Sequence, residues 1–86
     1  MYVRVSLVGL FGRGGGREMK ITLPDGSVVG DLLRELSETY PHLSDLNSAN
    51  GILIVVDGVE VGNLEGLGTR LVDGGEVALV PVTHGG

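Results

Sequence analysis

Pro24-Asp25-Gly26-Ser27-Val28-Val29-Gly30-Asp31-Leu32-Leu33-Arg34-Glu35-Leu36-Ser37-Glu38-Thr39-Tyr40-Pro41 is the stretch that decides the fold. Val29, Leu32, Leu33, Leu36 and Tyr40 recur at helical spacing, so one face of a helix is apolar. Pro24-Asp25-Gly26 closes whatever precedes it, and Ser27 is placed to cap the helix N-terminus. Asp31 and Glu35 lie toward the N-terminal half, where carboxylates suit the helix dipole. Pro41 ends the helix, because a proline disfavours helical backbone at the residue before it, Tyr40.

On either side the period changes from helical to alternating. Val3, Val5 and Leu7 alternate with Arg4, Ser6 and Val8, and Met19, Ile21 and Leu23 alternate with Glu18, Lys20 and Thr22. These are two strands of an antiparallel hairpin, joined by the glycine-rich loop Gly9 to Arg17. After the helix, His42 to Asn50 is a polar connection. Ile52 to Val56 is a continuous apolar run of strand length, which predicts an inner strand with both faces covered. Asp57-Gly58 is a turn, Val59 and Val61 suit a short further strand, and Gly62 to Thr69 is broken by glycines. Glu76 to Thr83 is the last strand, with Val77 and Leu79 inward and Val80 and Val82 outward. The fold class is therefore α+β, with one main helix packed on one face of a mixed four- to five-stranded sheet.

Composition removes several kinds of chemistry. The chain has 86 residues, enough for one small domain, and no cysteine, so a disulfide scaffold, a thiolate metal site and a cysteine nucleophile are all excluded. Six basic against eleven acidic residues give a net charge of −5, which argues against nucleic acid or a membrane as partner and points to basic protein surfaces. The longest apolar run is far short of the roughly 20 residues that span a bilayer, and no signal-peptide pattern is visible, so a cytoplasmic location is expected. Gly12-Arg13-Gly14-Gly15-Gly16-Arg17 is no phosphate loop: no Lys-Ser or Lys-Thr follows it, and a strand rather than a helix comes next. His42 and His84 are the two histidines, with no ligand set at metal-binding spacing around them, so no metal is expected. None of the acids falls on an apolar face where burial would tune it, so no autonomous catalysis is expected.

The remaining feature is the end of the sequence. Residues 1–82 read as the folded domain and 83–86, Thr83-His84-Gly85-Gly86, as a flexible tail. Three residues of extended chain carry the Gly86 carboxylate about 10 Å past the domain edge. Glycine lacks Cβ, so such an end can thread a narrow channel and leaves the terminal carbonyl open to attack.

With these pieces in place, the sequence resembles the ubiquitin-like β-grasp sulfur carriers of the MoaD/ThiS type. The residues that carry the likeness are Ser27-Val28-Val29-Gly30-Asp31-Leu32-Leu33 opening the helix, Tyr40-Pro41 closing it, Asp73-Gly74-Gly75-Glu76-Val77 before the last strand, and Val80-Pro81-Val82-Thr83-His84-Gly85-Gly86 at the end. The molybdopterin synthase small subunit is the nearest likeness, although Val82 stands where that group often has a second proline. The Thr83-His84-Gly85-Gly86 ending is closer to ubiquitin-related modifiers that serve tRNA thiolation and attach to protein lysines. The resemblance implies that Gly86 is the reactive residue, with Gly85 and His84 threading into a partner. It implies an E1-like adenylating enzyme of the MoeB/ThiF type, which uses ATP and Mg, and a molybdopterin synthase large subunit or other sulfur acceptor. The carrier itself would bind no cofactor. Val8, Val80 and Val82, outward on the face away from the helix, are the expected partner-binding residues.

Overall fold

The computed structural model describes residues 1–8, 17–39 and 52–81. Five strands form one sheet: β1 (Tyr2–Leu7), β2 (Arg17–Thr22), β3 (Ile52–Val56), β4 (Val59–Glu60) and β5 (Gly75–Pro81). Their order is β2-β1-β5-β3-β4. β1 and β2 are antiparallel, β5 runs parallel to β1 and antiparallel to β3, and β4 closes a hairpin on β3. The sheet is mixed, and its central strand, β5, is the last of the five in sequence order.

The one α-helix among the described residues, α1 (Val29–Thr39), buries Val29, Leu32, Leu33 and Leu36 against one face of this sheet. Val3, Val5 and Leu7 of β1, Ile54 and Val56 of β3, and Val77 and Leu79 of β5 meet them there. The two-residue period of each strand and the 3.6-residue period of the helix thus converge on one aliphatic core. Each fully buried leucine contributes about 1.5–3 kcal/mol relative to exposure. Among the described residues no buried side-chain nitrogen or oxygen lacks a hydrogen-bond partner.

Four local expectations change. Ser27 does not cap α1; its hydroxyl donates to the Pro24 carbonyl at 2.7 Å and it lies buried in the turn. The capping carboxylate is Asp31, whose Oδ2 accepts from the Val28 N–H at 3.0 Å, and the Val28 carbonyl accepts from Asp31 and Leu32 N–H. Val28 can take the cap position because it is also extended backbone, bridged to Arg70. The Val29 N–H, otherwise an orphan of the first turn, donates to the Thr69 carbonyl at 2.9 Å. Second, Arg17 is not loop but the first residue of β2, opposite Leu7. Third, β3 is an inner strand but only one of its faces is covered, since Leu53 is 39% exposed. One helix covers one side of a sheet, and nothing among the described residues covers the other. Fourth, Val61 lies outside β4, in a 3-10 turn (Val61–Asn63) followed by a second such turn (Gly66–Gly68).

The start of β5 is fastened from both flanks. Asp57 has φ 48° and Gly58 φ 86°, the left-handed pair of a two-residue hairpin turn. The Asp57 N–H donates to the Glu76 carbonyl, and its Oδ1 accepts from the Glu76 N–H, each at 2.8 Å. On the other flank Asp73 Oδ1 accepts from the Tyr2 N–H at 2.9 Å, while the Gly74 N–H donates to the Tyr2 carbonyl at 2.8 Å. Gly75 is tightly enclosed, because a Cβ would stand 3.0 Å from the Val72 carbonyl oxygen, closer than most real Cβ contacts. The Asp73-Gly74-Gly75 sequence is thus the clamp that sets β5 parallel to β1.

Candidate functional site

The face of the sheet away from α1 can be assembled row by row from strand register. Lys20, Arg4 and Glu76 form one row across β2, β1 and β5. Glu18, Ser6, Ala78, Val55 and Glu60 form the next, spanning all five strands. Beyond it Val80 pairs with Leu53, and Val8, whose N–H donates to the Leu79 carbonyl at 3.0 Å, continues β1 beside them. Val8 and Leu53 are each 39% exposed, and Val55, Ala78 and Val80 are half-buried.

This face has two unlike ends. At one end Val8, Leu53, Val55, Ala78 and Val80 make an apolar patch. At the other, Arg4 is paired with Glu76 at 2.6 Å, and the Lys20 ammonium sits 4.1 Å from the centre of the Tyr2 ring, a cation–π contact. The apolar end is the one from which β5 leaves the sheet, at Pro81 opposite Ile52. Whatever follows Pro81 therefore starts beside the patch.

Of the site residues expected from sequence, Val8 and Val80 lie in this patch, on the outward side assigned to them. Val82, His84, Gly85 and Gly86 lie outside the described residues, as do Tyr40-Pro41, the connection His42 to Asn50 and the loop residues Gly9 to Gly16. Ala78 of β5 and Leu53 and Val55 of β3 are the patch residues that sequence reasoning missed; for the β3 pair a signal existed. It lay in the unbroken run Ile52 to Val56, whose outward side chains are apolar without a covering layer.

Charge is unevenly spread. The outer face carries Arg4 and Lys20 against Glu18, Glu60 and Glu76, whereas α1 carries Asp31, Glu35 and Glu38 against Arg34. Arg34 is held by Asp31 at 2.7 Å. Among the described residues there is no group of three or more His, Cys, Asp or Glu side chains that could hold a metal ion. None of the described helices is long and apolar enough to cross a membrane.

A mixed five-stranded sheet with one helix across one face is the ubiquitin-like β-grasp fold, and solved structures share it across nearly the whole chain. A putative molybdopterin converting factor subunit 1 from Pyrococcus furiosus is 24% identical over 96% of this chain and 99% of its own, with a TM-score of 0.79. The small archaeal modifier protein 1 from Methanosarcina acetivorans is 25% identical over 99% of this chain and 96% of its own, with a TM-score of 0.76. A complex of subunits 1 and 2 of molybdopterin-converting factor from Helicobacter pylori contains a chain that is 24% identical over the full length of both, with a TM-score of 0.58. No curated protein sequence matches. The ThiS family model matches residues 8–86, and the chain belongs to that family of ubiquitin-fold sulfur carriers.

Proposed function

We propose that this chain carries sulfur as a thiocarboxylate on Gly86, and that molybdopterin synthesis is the pathway it serves. In this reading an E1-like enzyme uses ATP and Mg to adenylate the Gly86 carboxylate: a carboxylate oxygen attacks the α-phosphate and pyrophosphate leaves. A sulfur donor then displaces AMP from the acyl carbon. The chain has no cysteine, so its own side chains offer no thiol for the load, and the likeness to the sulfur carriers points to the Gly86 carboxyl.

The observation that carries the reading is the position of β5. Clamped at its start by Asp57 and Asp73 and paired on both sides, it ends at Pro81 beside the apolar patch. A partner that docks on Val8, Leu53, Val55, Ala78 and Val80, and on Val82 just beyond, has the route of Thr83, His84, Gly85 and Gly86 fixed at its origin. The fold contributes a rigid anchor, and the tail contributes reach. The pairing of subunits 1 and 2 in the Helicobacter pylori complex supports a large synthase subunit as that partner.

A second reading, conjugation of Gly86 to a target lysine, is favoured by the likeness to the small archaeal modifier protein. Mass spectrometry of the chain purified from its native cell separates the two. A thiocarboxylate adds ~16 Da, sulfur replacing oxygen, whereas a conjugate carries the mass of a whole partner. A chain showing only the free acid, under conditions where the pathway is active, overturns both.

A further inference from the structure

β2 is an edge of the sheet: it pairs with β1 on one side, and among the described residues no strand pairs with the other. At the opposite edge β4 is 2 residues long, so β2, with 6, is the longer open edge. Hydrogen bonding fixes which of its residues face outward. The Met1 amine donates to the Leu23 carbonyl and the Leu23 N–H to the Met1 carbonyl, each at 2.9 Å. In an antiparallel ladder a pair that exchanges both bonds alternates with a pair that exchanges none. Val3–Ile21, Val5–Met19 and Leu7–Arg17 are therefore the bonded pairs of the β1–β2 register, and Glu18, Lys20 and Thr22 direct their N–H and C=O groups away from β1. Tyr2, opposite Thr22, agrees: its N–H goes to Asp73 and its carbonyl to Gly74, on the β5 side. No proline interrupts residues 17–22, and an open, unbroken edge is a template for another strand.

We infer that the strand it takes is β2 of a second copy, paired antiparallel about a two-fold axis at Met19. An axis normal to the sheet makes the contact self-complementary and keeps the outer faces of both copies on one side. Residues directly opposite must share a face, so the axis passes through a residue rather than between two. Charge then selects the residue. An axis at Glu18 sets Glu18 against Glu18 of the second copy, an axis at Lys20 sets Lys20 against Lys20, and like charges directly opposite are unfavourable. An axis at Met19 sets Glu18 of each copy opposite Lys20 of the other, and both side chains are exposed. These are also residues whose backbone groups face outward, so each Glu18–Lys20 pair exchanges backbone hydrogen bonds as well. Among the described residues Glu18 has no cation partner in its own chain. On the α1 side Met19, half-buried against the core, meets its own counterpart at a pair that exchanges no backbone bond, where side chains approach most closely and a flexible thioether fills the seam.

Pairing of this kind uses an edge and leaves the faces uncovered. The apolar patch on β5 and β3 lies two to three strands in from the seam, ~10–14 Å at the usual spacing. Both patches face the same side of the joined sheet, so a paired chain presents two docking faces at once. A seam of two strands is smaller than the roughly 1,200–2,000 Å² of stable interfaces, which sets the dissociation constant at about 0.1–1 mM.

Amide NMR and sedimentation equilibrium of the full chain, over about 0.02–2 mM to bracket that constant, test the pairing whatever Gly86 carries. The N–H signals of Glu18, Lys20 and Thr22 are expected to shift with concentration more than those of Met19 and Ile21, as dimer accumulates. Glu18→Lys and Lys20→Glu each place like charges across their own seam, and each is expected to weaken pairing at least fivefold while leaving the rest of the amide spectrum in place. Mixed together, the two variants should pair with each other at least as tightly as the unaltered chain pairs with itself. Net charge alone gives the opposite order, since Glu18→Lys makes the chain less negative and would strengthen self-association. A chain that stays monomeric throughout, undiminished pairing of Glu18→Lys, or shifts at Val8, Leu53 and Val80 in place of β2 overturns the seam. Failure of the two folded variants to pair with each other overturns the Met19 register.

Discussion

The two faces of one sheet make the instructive comparison. The face under α1 is aliphatic from Val3 to Leu79, and every large side chain on it has a partner. The opposite face is also apolar at one end, where Val8 and Leu53 stay 39% exposed, yet among the described residues no layer meets it. Burial explains the first set completely. The second set contributes little to the fold, and a strand that needed only stability would carry polar residues there. The difference separates residues kept for folding from residues available for a partner.

The comparison breaks most visibly at the tail. Removal of Gly86, or of Gly85 and Gly86, is expected to abolish adenylation and sulfur transfer while leaving the melting temperature unchanged. A truncated chain with full transfer activity, assayed with its activating enzyme, would show that the reactive carboxyl lies elsewhere. On the covered face, Leu36→Ala should cost about 2–5 kcal/mol of stability by leaving a cavity between α1 and the sheet, measured by urea denaturation. On the open face, Val80→Asp should cost the fold only about 1 kcal/mol, the span of strand preference. It should weaken the complex with the proposed large-subunit partner at least tenfold by calorimetry. Should Val80→Asp unfold the chain instead, Val80 belongs to the core and the two faces are not distinct. The smallest effect concerns charge. With a net charge of −5, association with a basic partner should slow as salt rises, by stopped flow from low to high ionic strength. Because Arg4 and Lys20 offset most of the acid on the outer face, the dissociation rate should hardly change. An association rate that rises with salt means that the partner surface is acidic.

Much of this was legible in the sequence, for reasons that differ by element. Val3, Val5, Leu7, Val77 and Leu79 announced themselves because alternation leaves one choice of face once the helix is placed. The parallel pairing of β1 with β5 was not legible, since it joins residues more than seventy positions apart and is fixed by the Asp73 carboxylate on the Tyr2 N–H. Ser27 misled because its residue type favours a cap, while the bridge from Val28 to Arg70 moved the cap one residue on. Leu53 and Val55 were missed because an unbroken apolar run looks the same whether its outer side is buried or awaits a partner. Of the patch, Val8 and Val80 lie on the outward face expected of them, and their neighbours on β3 came only with register.

The central place of the last strand also bears on biosynthesis. Without β5, the β1–β2 and β3–β4 hairpins have no sheet ladder in common. A nascent chain therefore holds two marginal hairpins until β5 leaves the ribosome, and cooperative folding waits for that moment. Proteolytic loss of the same segment dissolves the sheet rather than trimming it.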